Sequence, residues 1–193
     1  MRICVFASSS DRLDGRYVKA AHALGRLLGE GGHTMIYGGG ASGLMGACAR
    51  GALEAGGEVV GVAPRFFDQP GVLLESCSRM IYTDTMAERK TAMEEEAEGF
   101  LILPGGIGTM EEFFEVLTQR QLGLHAKPMA LLNTGGYYAP LHGLLCRMAE
   151  TGFAGGEVPA LAALCGTPEE ALHALTGAAP AAARGCSKAD YFR

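Results

Sequence analysis

The chain has 193 residues, 48% of them apolar and 19% charged, and a formal charge of −5 at pH 7. That length lets one domain bury a sizeable core without disulfides or metals, and the acidic balance excludes a nucleic-acid binder that relies on a general basic surface. Six cysteines at irregular spacings, with no C-x-x-C pair and no histidine at ligand spacing, read as ordinary core or surface residues in a reducing compartment, with no metal site expected.

The first apolar run, Ile3 to Ala7, reads as a strand and turns polar at Ser8, too early for a signal peptide. No later run reaches transmembrane length, so a cytoplasmic protein that leaves membranes alone is expected. Further strands are expected at Thr34 to Tyr37, Val59 to Ala63, Met80 to Tyr82, Phe100 to Leu103 and Met129 to Leu132. Helical periodicity falls between them, at Tyr17 to Leu28, Leu44 to Glu54, Met86 to Ala97, Met110 to Leu122 and Tyr138 to Met148. This alternation predicts one Rossmann-like, doubly wound α/β domain with a mainly parallel sheet flanked by helices, spanning residues 1–177. Residues 178–193, rich in alanine, are expected to form a flexible tail. The longer connection Pro64 to Ser78, with Phe66, Phe67 and Pro70, reads as a lid or an interface element.

Ligands of such sheets sit beyond the carboxyl ends of the strands. Three loops rich in glycine or serine fall there: Ser8-Ser9-Ser10, Gly38-Gly39-Gly40 and Pro104-Gly105-Gly106. The third is the most informative, because a strand, a Pro-Gly-Gly turn and a helix start together offer unpaired N–H groups to an anion. Glu112 sits one turn further on, an acid beside a phosphate site. Thr109-x-x-Glu112 is also the pattern of a capping box, and the segment alone leaves the capping and catalytic roles open.

The stretch Gly38-Gly39-Gly40-Ala41-Ser42-Gly43 through Gly46 contains a formal G-x-G-x-x-G, but it follows the second strand rather than the first. The acidic residue that a dinucleotide ribose requires is missing, since Val62-Ala63-Pro64-Arg65 occupies its place. No P-loop pattern occurs. In the stretch from Met86 to Ala97, Arg89 and Lys90 fall where the apolar stripe calls for a core residue. They read either as snorkelling cations or, beside an anion crevice, as phosphate ligands.

Taken together, Tyr37-Gly38-Gly39-Gly40 with Gly43-Leu44-Met45-Gly46, Met86-x-x-Arg89-Lys90 and Pro104-Gly105-Gly106-x-Gly108-Thr109-x-x-Glu112 closely resemble the Lonely Guy family, from residue 3 to about residue 150. That family consists of cytokinin riboside 5′-monophosphate phosphoribohydrolases, and many of its relatives carry a lysine decarboxylase label. The resemblance implies hydrolysis of the N-glycosidic bond of a nucleoside 5′-monophosphate, without cofactor or metal, by a homodimer with its active site near the interface. It implies Arg89 and Glu112 as the catalytic pair. Substrate contacts are implied for Lys90, for Gly105, Gly106, Ile107, Gly108, Thr109, Met110 and Glu111, and for Thr118. Ser8, Met86, Gly38, Gly39, Gly40 and Gly43 complete the expected nucleotide contacts. Two positions depart from the family's habit: Ser8 stands where glycine is common, and Ala87 where histidine is. A carrier of nucleotide or molybdenum cofactor with the same fold is the alternative, and an NADP-binding oxidoreductase a weaker one.

Overall fold

A computed structural model describes residues 1–177; the expected tail lies outside them. The elements follow in chain order: β1 (Arg2–Phe6), α1 (Gly15–Glu30), β2 (Thr34–Tyr37), α2 (Gly43–Glu54), β3 (Glu58–Pro64), β4 (Arg79–Thr83), α3 (Met86–Glu96) and β5 (Gly99–Ile102). After them come α4 (Ile107–Gln121), β6 (Met129–Leu132), α5 (Ala139–Glu150), β7 (Ala163–Cys165) and α6 (Pro168–Thr176). The strands form one sheet in the order β4-β3-β2-β1-β5-β6-β7, and every strand pairing in it is parallel.

The sheet is wound in both directions from β1, so the crevice of this topology opens between the carboxyl ends of β1 and β5. The period of two along β1 divides the core. Ile3, Val5 and Ala7 face α1, α2 and α6, while Cys4 and Phe6 face the side of α3, α4 and α5. Both faces are covered, which is why the central strands are apolar throughout rather than alternating.

Helices α1 and α2 approach each other through glycine. A Cβ on Gly25 would lie 1.9 Å from the Cys48 carbonyl oxygen, and one on Gly51 would lie 2.2 Å from that of His22. The six expected strands and five expected helices are all present, with ends shifted by a few residues. β7 and α6 were not anticipated: a three-residue strand and a nine-residue helix give too little pattern to read.

Candidate active site

Beyond the ends of β1, β2 and β5 lies a cavity of about 650 Å³. Ser8, Ser9 and Ser10 form part of its wall, with Gly38, Gly40 and Ser42 from the second loop, Met86 and Arg89 from α3, and Gly106 to Thr109, Glu111 and Glu112 from α4. The connection after β3 closes the remaining side with Phe67, Gly71, Val72 and Leu73, and Met45 adds a further apolar surface. That connection is strapped to the glycine loop by two backbone bonds, Ala41 N–H to the Val72 carbonyl at 3.0 Å and Leu74 N–H to the Gly39 carbonyl at 2.9 Å. Gly39, with φ +75°, makes the turn that presents this edge.

Arg89 and Glu112 meet in the wall of the cavity. Arg89 Nη1 donates to Glu112 Oε1 at 2.9 Å, its Nε donates to the Val62 carbonyl at 3.2 Å, and the two side chains are only 10% and 12% exposed. Arg89 is therefore buried and paired rather than snorkelling. Gly38 makes room for it, since a Cβ there would stand 2.1 Å from Nη2. Burial pushes the Glu112 carboxyl above its usual range, while the Arg89 guanidinium pulls in the opposite direction.

The capping reading of Glu112 is corrected by the helix start. α4 begins at Ile107 with Gly106 as its N-cap residue and no side-chain cap, which puts Thr109 inside the first turn, 5% exposed, and Glu112 beyond it. The N–H groups of Ile107, Gly108 and Thr109 consequently have no intrahelical acceptor, and the first helical bond is Met110 N–H to the Gly106 carbonyl.

The start of α2 is closed by comparison. Gly43 N–H donates to Asp11 Oδ1 at 2.8 Å, and Leu44 and Met45 N–H groups both donate to the Ser8 carbonyl. Of the two helix starts behind glycine loops, α4 alone offers its donors to a ligand. Asp11 was not singled out in the sequence, because it comes from the loop between β1 and α1, 32 residues before the helix start that it closes.

The remaining expected contacts divide by position. Lys90 lies outside the cavity wall: its Nζ contacts Glu111 Oε1 and lies 2.7 Å from Glu115 Oε2, tying α3 to α4. These carboxylates raise its proton affinity. Gly39, Gly43, Gly105 and Met110 are not among the lining residues, and Thr118 is exposed on the fourth turn of α4. Sequence reasoning passed over Met45, Val72 and Leu73 as contacts, because apolar side chains carry no chemical signature.

The lining thus combines free N–H donors and hydroxyls, a buried carboxylate paired with arginine, and apolar side chains. Among the described residues no helix is long and apolar enough to cross a membrane, and no group of three or more His, Cys, Asp or Glu is placed to hold a metal.

Fold and site define a doubly wound α/β protein with its ligand crevice at the β1/β5 switch point. Comparison with known proteins narrows the class. The family described as "Possible lysine decarboxylase" matches residues 45–175. A rice protein named "Probable cytokinin riboside 5′-monophosphate phosphoribohydrolase" is 41% identical over 152 residues, 79% of this chain but 62% of its own length, so the chain spans less than two thirds of that relative. The cytokinin riboside 5′-monophosphate phosphoribohydrolase of Rhodococcoides fascians is 37% identical over 90% of this chain and 88% of its own. An Arabidopsis thaliana protein of the same designation is 40% identical over 79% and 71%. The chain belongs to this family, the Lonely Guy family. Among solved structures, the molybdenum cofactor carrier protein of Chlamydomonas reinhardtii superposes with a TM-score of 0.71 at 20% identity, covering 91% of this chain and 96% of its own. The molybdenum cofactor binding protein of Rippkaea orientalis gives 0.71 at 19%, covering 91% and 95%. At that identity the likeness is one of fold.

Proposed function

We propose that this chain hydrolyses the N-glycosidic bond of a nucleoside 5′-monophosphate, an adenosine or cytokinin nucleotide, to free base and ribose 5-phosphate. The observation that carries this reading is the Arg89–Glu112 pair at 2.9 Å in the cavity wall, one turn past the open start of α4. In it the 5′-phosphate lies against the N–H groups of Gly106 to Thr109 and the hydroxyls of Ser8 to Ser10, the ribose over Glu112, and the base toward Met86, Val72 and Leu73.

Water attacks C1′ as the bond to the base nitrogen breaks, and positive charge builds on the ribosyl group. Glu112 stabilises that charge and takes a proton from the attacking water, and the departing base takes a proton from solvent at its ring nitrogen, Glu112 then returning its own to solvent. Arg89 holds the carboxylate in place and keeps it available as an anion. Phosphate binding far from the breaking bond contributes to catalysis by fixing the sugar.

Relatives named as phosphoribohydrolases support this reading over the decarboxylase label. So does the chemistry of the wall: no lysine among the described residues lines the cavity, and Lys90 on α3 is held by two carboxylates outside it. A cytoplasmic setting belongs to the same proposal, supported by five free thiols among the described residues.

The test is purified protein incubated with AMP and with isopentenyladenosine monophosphate, following free base and ribose 5-phosphate by chromatography. Wild type releases base, and Glu112→Gln, which keeps the shape and removes the charge, binds nucleotide but turns over slower by about two to four orders of magnitude. Binding without base release by wild type would instead assign a carrier.

A further inference from the structure

The loop that feeds α4 has each of its carbonyls occupied. The Leu103 carbonyl accepts from Tyr138 Oη at 2.6 Å, that of Pro104 from the Ser8 N–H at 3.2 Å, and that of Gly105 from Tyr137 Oη at 2.7 Å. The two tyrosines are consecutive, with rings 5.0 Å apart and nearly perpendicular, so one turn delivers hydroxyls to two alternate carbonyls. That turn is built for the purpose: Gly135 and Gly136 both take positive φ, and the Asn133 side chain accepts from the Tyr138 N–H at 2.7 Å.

The two hydroxyls differ in what they orient. In a trans peptide the C=O and the next N–H point in opposite directions, and no cis peptide occurs among the described residues. Fixing the Leu103 carbonyl aims no donor, because residue 104 is proline. Fixing the Gly105 carbonyl aims the N–H of Gly106, which has no acceptor among the described residues. Gly105 and Gly106 lack side chains, so little else restrains the rotation of the peptide between them.

The loop is also a partition. Behind it lies a second cavity of about 220 Å³, walled by Tyr137, Tyr17, Leu13 and Leu44. Ser8 and Gly106 border both spaces, whereas Gly105 and Tyr137 border only the rear one and Ile107 to Thr109 only the front. A hydroxyl pulling on the Gly105 carbonyl from the rear turns the Gly106 N–H to the front.

We infer that Tyr137 is a positioning residue for phosphate: its hydroxyl orients the Gly105–Gly106 peptide so that the Gly106 N–H joins the open donors of α4 in holding the 5′-phosphate of the ligand. The inference rests on the proposed placement of the phosphate and deepens it. Tyr138, which is 1% exposed, holds the same loop in the fold without aiming a donor.

Calorimetry with ribose 5-phosphate and with adenine tests this, since neither contains a glycosidic bond to cleave. In Tyr137→Phe the affinity for ribose 5-phosphate falls about tenfold, and that for adenine stays within about twofold. Tyr138→Phe lowers the melting temperature, because it strands the Leu103 carbonyl, but affects the two ligands alike. Equal affinities for ribose 5-phosphate in wild type and Tyr137→Phe, or a parallel loss of both ligands, would overturn the inference. Absence of ribose 5-phosphate binding to wild type would overturn it as well. Intact, Tyr137-dependent binding without base release would leave it standing and remove only the hydrolase reading.

Discussion

Glu112 is held by opposing forces. Burial favours its neutral form, and Arg89 at 2.9 Å favours the anion. An ionised Glu112 is the working form in the proposed reaction, so turnover falls as pH drops through a value above the ordinary carboxylate range. Removing the guanidinium leaves burial as the largest remaining influence, with the Glu111 carboxylate acting in the same direction and Lys90 against it. Arg89→Gln should therefore shift the acid limb of the rate profile to higher pH, in addition to lowering the maximum, and a limb that stays in place would detach Arg89 from the ionisation of Glu112. Stability runs the opposite way: a carboxyl with raised proton affinity in the folded state makes folding less favourable as pH rises through the interval between its unfolded and folded values. Thr-x-x-Glu occurs at three helix starts, and only the structure separates the roles. At α3, Thr85 Oγ1 accepts from the Glu88 N–H and Glu88 reaches back to the Asp84 N–H; at α6, Thr167 and Glu170 repeat this with Gly166. Both are caps. At Thr109 and Glu112 the helix has already started at Ile107, two residues before Thr109, out of a glycine loop that any start position fits. The place of Glu112 beside the glycine loop was thus legible in the sequence, and its freedom from capping duty was not.

At the level of elements, the site depends on two glycine-loop helices that begin differently. The N–H groups at the start of α2 are taken by Asp11 and the Ser8 carbonyl, whereas those at the start of α4 are left open and are the proposed phosphate donors. The sequence marked both loops as anion sites, because the closing group of α2 comes from a different loop and leaves no local signature. The packing of α1 on α2 makes a quantitative case. Alanine in place of a helical glycine gains about 1 kcal/mol in propensity. At Gly25 the new Cβ would stand 1.9 Å from a backbone oxygen that cannot swing aside, and overpacking of that kind costs about 1–3 kcal/mol or more. The clash outweighs the propensity gain, so Gly25→Ala should lower the urea midpoint and melting temperature. An unchanged or raised midpoint would show that the two helices can separate freely.

At the scale of the molecule, the alternation of strands and helices made the parallel sheet readable in advance, because each half-buried or buried segment carries its own period. What escaped was the far edge, where β7 and α6 are too short for a period to show. The mouth of the cavity adds a surface argument. Among the residues that line it, Ile107 is 88% exposed, Met86 43% and Phe67 40%, which gives the cavity an exposed apolar rim. Pairing of two copies with this rim at or near the interface is the arrangement proposed from family resemblance, and sedimentation of purified protein should give twice the chain mass of 20.1 kDa at micromolar concentration. Replacing Ile107 with a charged residue is the informative companion, and a monomeric wild type would leave the rim to the ligand alone.

The position of the crevice also fixes an order of events in folding. β1 pairs on one side with β2, where Arg2 meets Thr34, and on the other with β5, where Phe6 meets Ile102. The first contact closes after one strand and one helix; the second requires the chain to have passed through three more strands and two more helices. Contacts so distant in sequence form slowly. During synthesis, the serine and glycine loops are in place well before the strand that carries the opposite half of the site has left the ribosome. Until then β1 presents a bare, apolar edge to the cell, the kind of edge that recruits other strands. The geometry that makes β1 the centre of the binding crevice therefore also makes it the most vulnerable strand of the nascent chain.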